Sequence, residues 1–379
     1  MTNDAPAHPG LPPTTGDAAR ALGAELRGPG DLPLRRLDVM DQAEDGALTF
    51  IRSAAFAEHW PACRATAAIV TRGVDVPHHP DPRRALLVVD HADRAIFTLL
   101  TTVSEGINAP LFDHGVHSTA FIHPTATVDP SATVGPFCAI GAHAAVGPGV
   151  LLEAHVSVGA RCSVGARTRI HEGVVLRPLT SVGEDCLLHP GSVLGADGFG
   201  FDRDENNIPV FIPHIAGVRV GDRVVIGGNC SIDRGKFSDT IIGDDVKIDN
   251  LTQIGHATRV GKATVICGCC ALGGSCRIGS FVTIGGGVHM PDNVDVADHA
   301  VIAGGAFLAG SVAAKEPWMG HPARPRSMWL RELRAVKTVA RLRKDLKETV
   351  KIVQRLAGRV GDIDGKTDES TPDDGSPAS

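Results

Sequence analysis

The sequence predicts a mainly β protein whose central part is a left-handed parallel β-helix of hexapeptide repeats. Three observations support this fold class. An aliphatic residue returns at every sixth position between Ile122 and Leu308, a small residue usually stands four positions after it, and aromatic residues make up only 4% of the chain, with no tyrosine. A period of six fits neither an α-helix nor an alternating strand, so it indicates a structural repeat.

The repeated aliphatic positions form a long run, a short run and a second long run, separated by two shifts of phase. They are Ile122, Val128, Val134, Ile140, Val146, Leu152, Val158, Val164, Ile170, Leu176, Val182, Leu188, Leu194, then Val220, Ile226, Ile232, then Ile242, Ile248, Ile254, Val260, Ile266, Leu272, Ile278, Ile284, Met290, Val296, Ile302 and Leu308. In a β-helix each hexapeptide supplies one flat face, three faces close one coil, and the aliphatic side chain stacks on its equivalent in the next coil. These 28 positions predict about nine coils, and strands spaced ~4.8 Å apart make a prism roughly 45 Å long.

The predicted domains follow changes in composition and pattern. Residues 1–31 are rich in Pro, Ala, Gly and Thr without a period, and we expect them to be disordered, like the acidic tail at 359–379. Residues 32–113 are predicted to form a small α/β domain, 114–312 the β-helix and 313–358 a C-terminal helical extension. Within the α/β domain the predicted elements are strands at residues 47–51, 67–70 and 86–89 and a helix at residues 92–103.

An amphipathic helix is predicted at residues 327–356, because apolar residues recur there at spacings of three and four. They are Trp329, Leu333, Val336, Val339, Leu342, Leu346, Val350, Val353 and Leu356, and we expect this face to be buried. Between Arg324 and Arg359 twelve Lys and Arg residues stand against three acidic residues, a net charge of +9 in a chain whose net charge is −6. The basic face is either a solvated helix surface or a docking surface for an acidic partner.

Nine cysteines raise the question of disulfides or a zinc site. Six of them, Cys138, Cys162, Cys186, Cys230, Cys270 and Cys276, stand four residues after a repeated aliphatic residue, where the coil needs a small inward side chain. Free cysteine packs as a small hydrophobic residue, so we expect structural thiols and predict no metal site. The sequence contains neither a charged-then-apolar leader nor an apolar run near the length of a membrane span, which favours a cytoplasmic protein.

Two segments leave the repeat shortly before His256. The first lies between Leu194 and Val220 and begins with GADGFGF at residues 195–201, and the second is shorter and lies around Phe237. Because the coils do not need such loops, these excursions indicate a functional site.

The excursions and the coils beside them closely resemble the UDP-3-O-acylglucosamine N-acyltransferase family of the lipid A pathway. The resemblance rests on GADGFGF at 195–201, SIDRG at 231–235, DTIIG at 239–243 and IDNLTQIGH at 248–256. In addition, LTFI at 48–51 and EHWPACRATAAIV at 58–70 are similar to that family's uridine-binding domain. The resemblance covers about residues 32–357.

This resemblance implies a homotrimer with active sites between neighbouring prisms. It implies transfer of an (R)-3-hydroxyacyl chain from acyl carrier protein, with its phosphopantetheine, to the 2-amine of UDP-3-O-acylglucosamine, without a cofactor held by the enzyme and without a nucleic-acid partner. The family's catalytic histidine falls on His256 and its oxyanion donor on Gly274. The substrate-binding positions carried over are Phe50, Ser53, Phe56, Asp197, Phe199, Asp249, Asn250, Asn293 and Phe307, the last of these as a limit on acyl-chain length or as a cap on the prism core.

The assignment of His256 agrees with the chemistry that the residue types allow. A glucosamine amine must lose a proton to attack a thioester, and imidazole is the side chain that ordinarily exchanges a proton near neutral pH. Gly274 stands 18 residues after His256, so the repeat places it one coil along on the same face. Its N–H is then expected within ~5 Å of the His256 backbone, which suits an oxyanion donor.

The sequence also departs from the family pattern. Gly255-His256-Ala257 stands where the family usually has Ala-His-Asn, Ser53-Ala54-Ala55-Phe56 stands in place of Asn-Pro-Lys-Tyr, a later Asn-Pro is missing around His91-Ala92, and Asn293 falls on a second family histidine, with His289 nearby. A paralogue with shifted substrates and an inactive scaffold are therefore alternatives. Two others are an acyltransferase that uses a short acyl-CoA and a zinc carbonic anhydrase on the same prism, which needs three converging histidines. We find no histidine pair at close, face-matched spacing in the sequence.

Overall fold

The computed structural model describes residues 7–110, 112–315, 317–319 and 326–364, and in the last range the side chains of 331–332 and 334–357. The chain divides into two compact units, Met1–His114 and Gly115–Ser379.

The N-terminal unit is a five-stranded sheet with helices. Its elements are α1 (Thr15–Leu22), β1 (Glu25–Arg27), β2 (Arg36–Leu37), β3 (Ala47–Ile51), α2 (Ala54–Ala57), a 3₁₀ turn (Trp60–Ala62), β4 (Ala67–Thr71), β5 (Ala85–Val89) and α3 (Ala92–Ile107). The strand order is β1-β5-β4-β3-β2, and only the β1–β5 pair is antiparallel. The three predicted strands and the predicted helix are therefore confirmed.

The prediction that residues 1–31 are disordered is wrong for the part that the structure describes. Helix α1 begins at a Thr14 cap, whose side chain accepts the Asp17 N–H, and ends at Gly23 in the left-handed conformation. Ala18 on its inner face is fully buried, and β1 pairs with β5. Two caps and an alanine-lined face stabilise this short helix, although the composition of the segment resembles that of a disordered chain.

The second unit is a parallel β-solenoid. Its strands are β6 (Phe121–Ile122), β7 (Thr127–Val128), β8 (Thr133–Val134), β9 (Ala139–Ile140), β10 (Ala145–Val146), β11 (Leu151–Leu152), β12 (Ser157–Val158), β13 (Ser163–Val164), β14 (Arg169–Ile170), β15 (Val175–Leu176), β16 (Thr180–Val182), β17 (Leu187–Leu188), β18 (Val193–Ala196), β19 (Phe201–Arg203), β20 (Pro209–Phe211), β21 (Val218–Val220), β22 (Val225–Ile226), β23 (Ser231–Asp233), β24 (Thr240–Ile242), β25 (Lys247–Ile248), β26 (Gln253–Ile254), β27 (Arg259–Val260), β28 (Val265–Ile266), β29 (Ala271–Leu272), β30 (Arg277–Ile278), β31 (Thr283–Ile284), β32 (His289–Met290), β33 (Asp295–Val296), β34 (Val301–Ile302) and β35 (Pro317–Trp318).

Apart from the β19–β20 hairpin, these strands form the three faces of the prism. The His256 face contains β6, β9, β12, β15, β18, β23, β26, β29 and β32. The Asp249 face contains β8, β11, β14, β17, β22, β25, β28, β31, β34 and β35, and the third face contains β7, β10, β13, β16, β21, β24, β27, β30 and β33. Nine or ten strands on each face agree with the predicted number of coils, and the predicted left-handed β-helix is confirmed.

The repeated aliphatic residues form the core of the prism. All of them from Val134 to Leu308 are buried, and Ile122 and Val128, in the first coil, pack partly buried against the core. The six cysteines at the small inward position are also buried and free, and burial raises the pKa of each of these thiols. Because a thiol is reactive as the thiolate, these six cysteines are structural, as the sequence predicts.

Both predicted excursions leave the prism where expected. The first contains the antiparallel hairpin β19–β20, which joins the His256 face to the third face. Its phenylalanines Phe199, Phe201 and Phe211 are exposed, and so is Phe237 in the second excursion.

The C-terminal helix α4 (Arg326–Asp364) is longer than predicted. It includes the first residues of the predicted tail, while residues 365–379 lie outside the described chain. Val336, Val339, Leu342, Leu346, Val350, Val353 and Leu356 are all at least 45% exposed. The prediction that this face is buried is therefore wrong for its described side chains in the single chain, because none of them belongs to a hydrophobic core. The side chains of Trp329 and Leu333, which the prediction also included, lie outside the described part. Among the described helices none is long and apolar enough to cross a membrane.

Candidate active site

His256, Gly274 and Asp292 form a column on the His256 face. Strand pairing places Ile254 beside Leu272 and Leu272 beside Met290, so the residues two positions later also lie one above another. The Ser275 N–H donates to the His256 carbonyl at 2.7 Å, which fixes the spacing of the two coils. This is the register that the sequence predicts for His256 and Gly274.

A cavity of about 560 Å³ opens at this column. The first excursion supplies one wall with Asp197, Phe199, Phe201 and Phe211, and the prism supplies Ser231, Asp233, Gln253, His256, Gly274 and Asp292. Phe199 at its rim is 86% exposed. The structure therefore brings Asp197 and Phe199 together with His256 and Gly274, as the resemblance implies.

The two nitrogens of the His256 ring lie in different surroundings. Nε2 faces the next coil: a methyl group on Gly274 would lie only 2.6 Å from it. Nδ1 is buried and has no hydrogen-bond partner among the described residues. Because Nδ1 is buried and Nε2 lies beside Gly274, which lines the cavity together with His256, Nε2 is the nitrogen that can exchange a proton with a bound group.

The backbone next to His256 is held by a hydroxyl at the start of strand β24, directly after the second excursion. Thr240 accepts the Ala257 N–H at 2.9 Å and donates to the Asp233 carbonyl at 2.6 Å. Ala257 itself lies at a corner of the coil with φ 57°, a conformation that costs an alanine roughly 1–2 kcal/mol and that asparagine adopts more easily. The departure from the family's asparagine therefore adds strain directly after His256.

Asp233 is a buried carboxyl group in the floor of the cavity. Burial raises its pKa, although hydrogen bonds with Gln253 and Ser231 and the nearby rings of His256 and His214 favour the charged form. A buried carboxyl group beside a histidine is characteristic of catalytic sites.

The Gly274 N–H already has an acceptor. It donates to Oδ1 of Asp292 at 2.7 Å. An oxyanion in the cavity can therefore accept this N–H only if it displaces the Asp292 carboxylate or shares the N–H with it.

Asp249 and Asn250 do not join His256 in the single chain. They follow β25 and lie on the Asp249 face, where Asp249 Oδ2 accepts the Gly268 N–H at 3.0 Å and Asn250 Oδ1 accepts the Gly228 N–H at 2.6 Å. The repeat explains this separation, because positions six residues apart in the sequence lie on neighbouring faces of the prism.

Asn293 and Phe307 lie further along the prism. The Asn293 N–H donates to the Gly274 carbonyl at 2.9 Å, and its side chain is exposed at the coil corner. Phe307 pairs with His289 on the His256 face, and its ring is 64% exposed. The alternative that Phe307 caps the core is wrong, because the adjacent Leu308 is the buried residue.

The N-terminal unit contains a second cavity, of about 860 Å³. Phe50 and Phe56 both line it, together with His59 and Arg64, and the Arg52 guanidinium lies 4.8 Å from the centre of the Phe56 ring. Ser53 does not line it and instead begins helix α2. Two of the three residues carried over for nucleotide binding therefore share one cavity.

The site residues predicted from the sequence do not include four that the structure places at or beside the cavity: Asp233, Gln253, Asp292 and His214. The repeat does indicate Asp292, which stands 18 residues after Gly274. His214 follows the irregular hairpin, where the repeat gives no register.

The expectation that the chain contains no face-matched histidine pair is also wrong. His171 and His189 stack on the Asp249 face with ring centroids 5.3 Å apart. Near them Glu153, His171 and Glu172 place three potential metal-ligating atoms within 4.8 Å of one another. Glu153, however, already accepts from Arg169 at 2.6 Å and lies 3.0 Å from His171 Nδ1, so these contacts satisfy it.

Comparison with models of known protein families finds no match. The UDP-3-O-acylglucosamine N-acyltransferase of Paracidovorax citrulli (strain AAC00-1) is 35% identical over 232 residues, which are 61% of this chain and 63% of that protein. The chain thus spans slightly less than two thirds of that relative. The enzyme of the same name from Coxiella burnetii (strain Dugway 5J108-111) is 30% identical over 245 residues, 65% of this chain and 70% of that protein.

Among solved structures, an Arabidopsis UDP-N-acetylglucosamine acyltransferase is similar to 54% of this chain and 71% of its own, with a TM-score of 0.50 and 22% identity. At this identity the likeness supports the β-helix fold alone. Family membership rests on the sequence matches, and the alignment with the Coxiella protein covers more than two thirds of that relative. The chain belongs to the UDP-3-O-acylglucosamine N-acyltransferase family.

Proposed function

We propose that the protein transfers an (R)-3-hydroxyacyl chain from acyl carrier protein to the 2-amine of UDP-3-O-acylglucosamine, a step of lipid A biosynthesis. The observation that carries this proposal is the column of His256 and Gly274 in the lining of the cavity, with His256 Nε2 beside Gly274. Curated relatives of 30–35% identity bear the name of this activity.

The residues of the cavity suit acyl transfer from a thioester. His256 Nε2 takes a proton from the sugar amine as the nitrogen attacks the thioester carbon, so that a C–N bond forms. The oxyanion of the tetrahedral intermediate accepts a hydrogen bond from the Gly274 N–H and replaces Asp292 as its acceptor. The C–S bond then breaks, and the proton held by His256 passes to the departing thiolate. The products are an amide and the free thiol of the carrier.

The cavity of the N-terminal unit suits the uridine of the acceptor. Phe50 and Phe56 offer aromatic surface for a uracil ring, and Arg64 is a cation in the same lining that can meet a phosphate. No cofactor of the enzyme's own takes part in this proposal, because the reactive thioester arrives on the phosphopantetheine of the donor.

Helix α4 supports a carrier protein as the donor. Acyl carrier proteins are acidic, and the segment from Arg324 to Arg359 has a net charge of +9. Arg334, Lys337 and Arg341 are exposed on this helix. A small acyl-CoA needs no such surface.

Reversing these three charges tests the docking role of α4. We expect Arg334→Glu, Lys337→Glu and Arg341→Glu together to weaken carrier-protein binding, mainly by slowing association, with an effect that fades as salt rises. Surface plasmon resonance at several salt concentrations measures this. The matched control exchanges the same residues while keeping their charge (Arg334→Lys, Lys337→Arg, Arg341→Lys), and it should bind like the wild type. Binding by the triple reversal variant that equals the control at low salt contradicts the proposal.

A closed C3 trimer is part of the proposed function. Asp249 and Asn250 lie on a different face from His256, so they reach the same substrate only if the Asp249 face of one prism adjoins the His256 face of another. A cyclic trimer repeats that contact three times. We expect light scattering to give a trimer at micromolar concentration, and a stable monomer would contradict this arrangement.

Phe307 is proposed to limit the length of the acyl chain. Gln253, Ala271, His289 and Phe307 follow one another along the His256 face, so Phe307 lies three coils, roughly 14 Å, beyond Gln253 in the cavity. Phe307→Ala should open room for more methylenes, each worth ~0.8 kcal/mol when buried, and shift the preference to longer donors. Competition assays with donors of several lengths measure the shift.

Phe281 offers a matched control for this substitution. It is another exposed phenylalanine stacked on a histidine, His299, but it lies at a corner of the prism with φ 57° and not on the His256 face. Phe281→Ala should keep the wild-type length preference. If Phe307→Ala folds and also keeps it, the acyl chain ends elsewhere.

The proposed reaction is tested by incubating the protein with 3-hydroxyacyl carrier proteins of several lengths and UDP-3-O-acylglucosamine, followed by mass spectrometry of the product. A product heavier by one hydroxyacyl group supports the proposal. Product from acyl-CoA alone would favour the alternative donor, and no product from any pair would favour an inactive scaffold.

A further inference from the structure

His214 is the innermost side chain of the first excursion, and its ring lies against His256. It is 3% exposed, and the two ring centroids are 5.0 Å apart with 59° between their planes. A methyl group on Gly198 would lie 2.7 Å from His214 Nε2 and 2.8 Å from His256 Cβ, and one on Gly200 would lie 2.7 Å from His214 Cε1. Two glycines thus allow the backbone of the excursion to close over these rings.

One hydrogen bond determines where His214 carries its proton. Nδ1 lies 3.0 Å from the Ile212 carbonyl oxygen, and a carbonyl oxygen only accepts, so Nδ1 carries the hydrogen. In the neutral ring Nε2 is then an acceptor. It is buried and has no partner among the described residues, which is costly for a polar atom.

His256 offers the matching donor. Its Nδ1 is the other buried ring nitrogen without a partner in the described chain. For His256 to act as a base through Nε2, the hydrogen of its neutral ring must be on Nδ1. The two rings therefore each present one buried, unpaired nitrogen, and the two nitrogens are complementary as acceptor and donor.

We propose that His214 is a positioning residue: its Nε2 accepts a hydrogen bond from His256 Nδ1–H when substrate is bound and so keeps the lone pair of His256 on Nε2. The inference deepens the proposed acyltransferase function and rests on it. Hydrogen bonds between catalytic groups are often long or poorly aligned without substrate and shorten in the complex. The aromatic contacts Phe199–Phe201–Phe211–His214 connect the rim of the cavity to this pair. A substrate bound at the rim can therefore shorten the distance between the two histidine rings.

Asp233 is the competing acceptor for His256 Nδ1, since its carboxyl group lies near both histidines. Gln253 and Ser231 lie beside it in the lining of the same cavity and favour the charged form of its carboxyl group. The experiment must therefore separate His214 from Asp233.

Three variants make this separation. His214→Phe keeps a ring but removes the acceptor, His214→Gln keeps an acceptor oxygen, and Asp233→Asn removes the carboxylate. We expect His214→Phe to lower kcat about 10-fold to 100-fold, less than loss of the base itself, with little change in KM. His214→Gln should restore much of the rate. His189→Phe, in the stacked pair of His171 and His189 on the Asp249 face, is the control and should behave like the wild type.

A second measurement does not depend on acyl transfer. Diethyl pyrocarbonate reacts with the unprotonated ring nitrogen, so its rate at His256, followed by peptide mass spectrometry, reports the lone pair on Nε2. UDP is the ligand added in this measurement, because it lacks the sugar amine that would cover Nε2. We expect His214→Phe to slow this modification by up to about fivefold, because one ordinary hydrogen bond changes the ratio of the two tautomers about fivefold. Failure of the proposed function appears instead as a wild-type protein without activity toward the proposed substrates.

The outcomes distinguish the two acceptors. Slower modification of His256 in His214→Phe, with recovery in His214→Gln, supports the pair. A folded His214→Phe protein with wild-type kcat and wild-type modification of His256 overturns the proposal, and so does a result in which only Asp233→Asn slows the modification.

Discussion

His256→Ala should lose about 10² to 10⁴ in kcat while substrate binding changes little, because the side chain removed is the proton acceptor of the proposed reaction. The backbone at this position is held by Thr240 and by the Ser275 N–H, neither of which needs the imidazole. The variant should therefore fold normally.

His143 provides the control for this substitution. It is an exposed histidine at another corner of the prism, and His143→Ala should keep wild-type kcat and KM. Turnover of His256→Ala within a few-fold of that control, measured by product mass under saturating substrates, would refute the role of His256 as the base.

The core of the prism is readable from sequence because every coil repeats the same environment. An aliphatic residue such as Ile254 meets Leu272 one coil later, so the same requirement recurs every sixth residue and the pattern needs no knowledge of the tertiary structure. The same arithmetic places His256 over Gly274 and would have placed Asp292 over both. Where the period is intact, the sequence predicts both the strands and their neighbours.

The remaining parts depend on contacts that no period encodes. Helix α1 is stabilised by its caps at Thr14 and Gly23, which the composition of the segment conceals. His214 lies in the segment that follows an irregular hairpin, and only the folded excursion shows that its ring contacts that of His256. The exposed apolar face of α4 shows a different limit of the sequence. An amphipathic pattern predicts that one face of a helix is covered, but it does not indicate which chain covers that face.

Gly274→Ala should be nearly as damaging as loss of the base, for a reason specific to this column. The added methyl group would lie 2.6 Å from His256 Nε2 and 2.7 Å from Cε1, far inside van der Waals contact. The imidazole can rotate away, so the prism still folds, but the ring then leaves the position from which Nε2 reaches the amine. Because small misplacements of reacting groups cost about 10² in rate, we expect kcat to fall at least about 100-fold with little loss of thermal stability.

Gly286 is the matched control for this last substitution. It occupies the same hexapeptide position, two residues after the buried Ile284, but on the Asp249 face, and a methyl group there would meet only the Gly268 carbonyl oxygen, at 3.3 Å, and Cys267 Cβ, at 3.9 Å. Gly286→Ala should therefore keep wild-type turnover and a similar Tm. Equal turnover for Gly274→Ala and Gly286→Ala, with both proteins folded by circular dichroism, would show that His256 does not act from the position above Gly274.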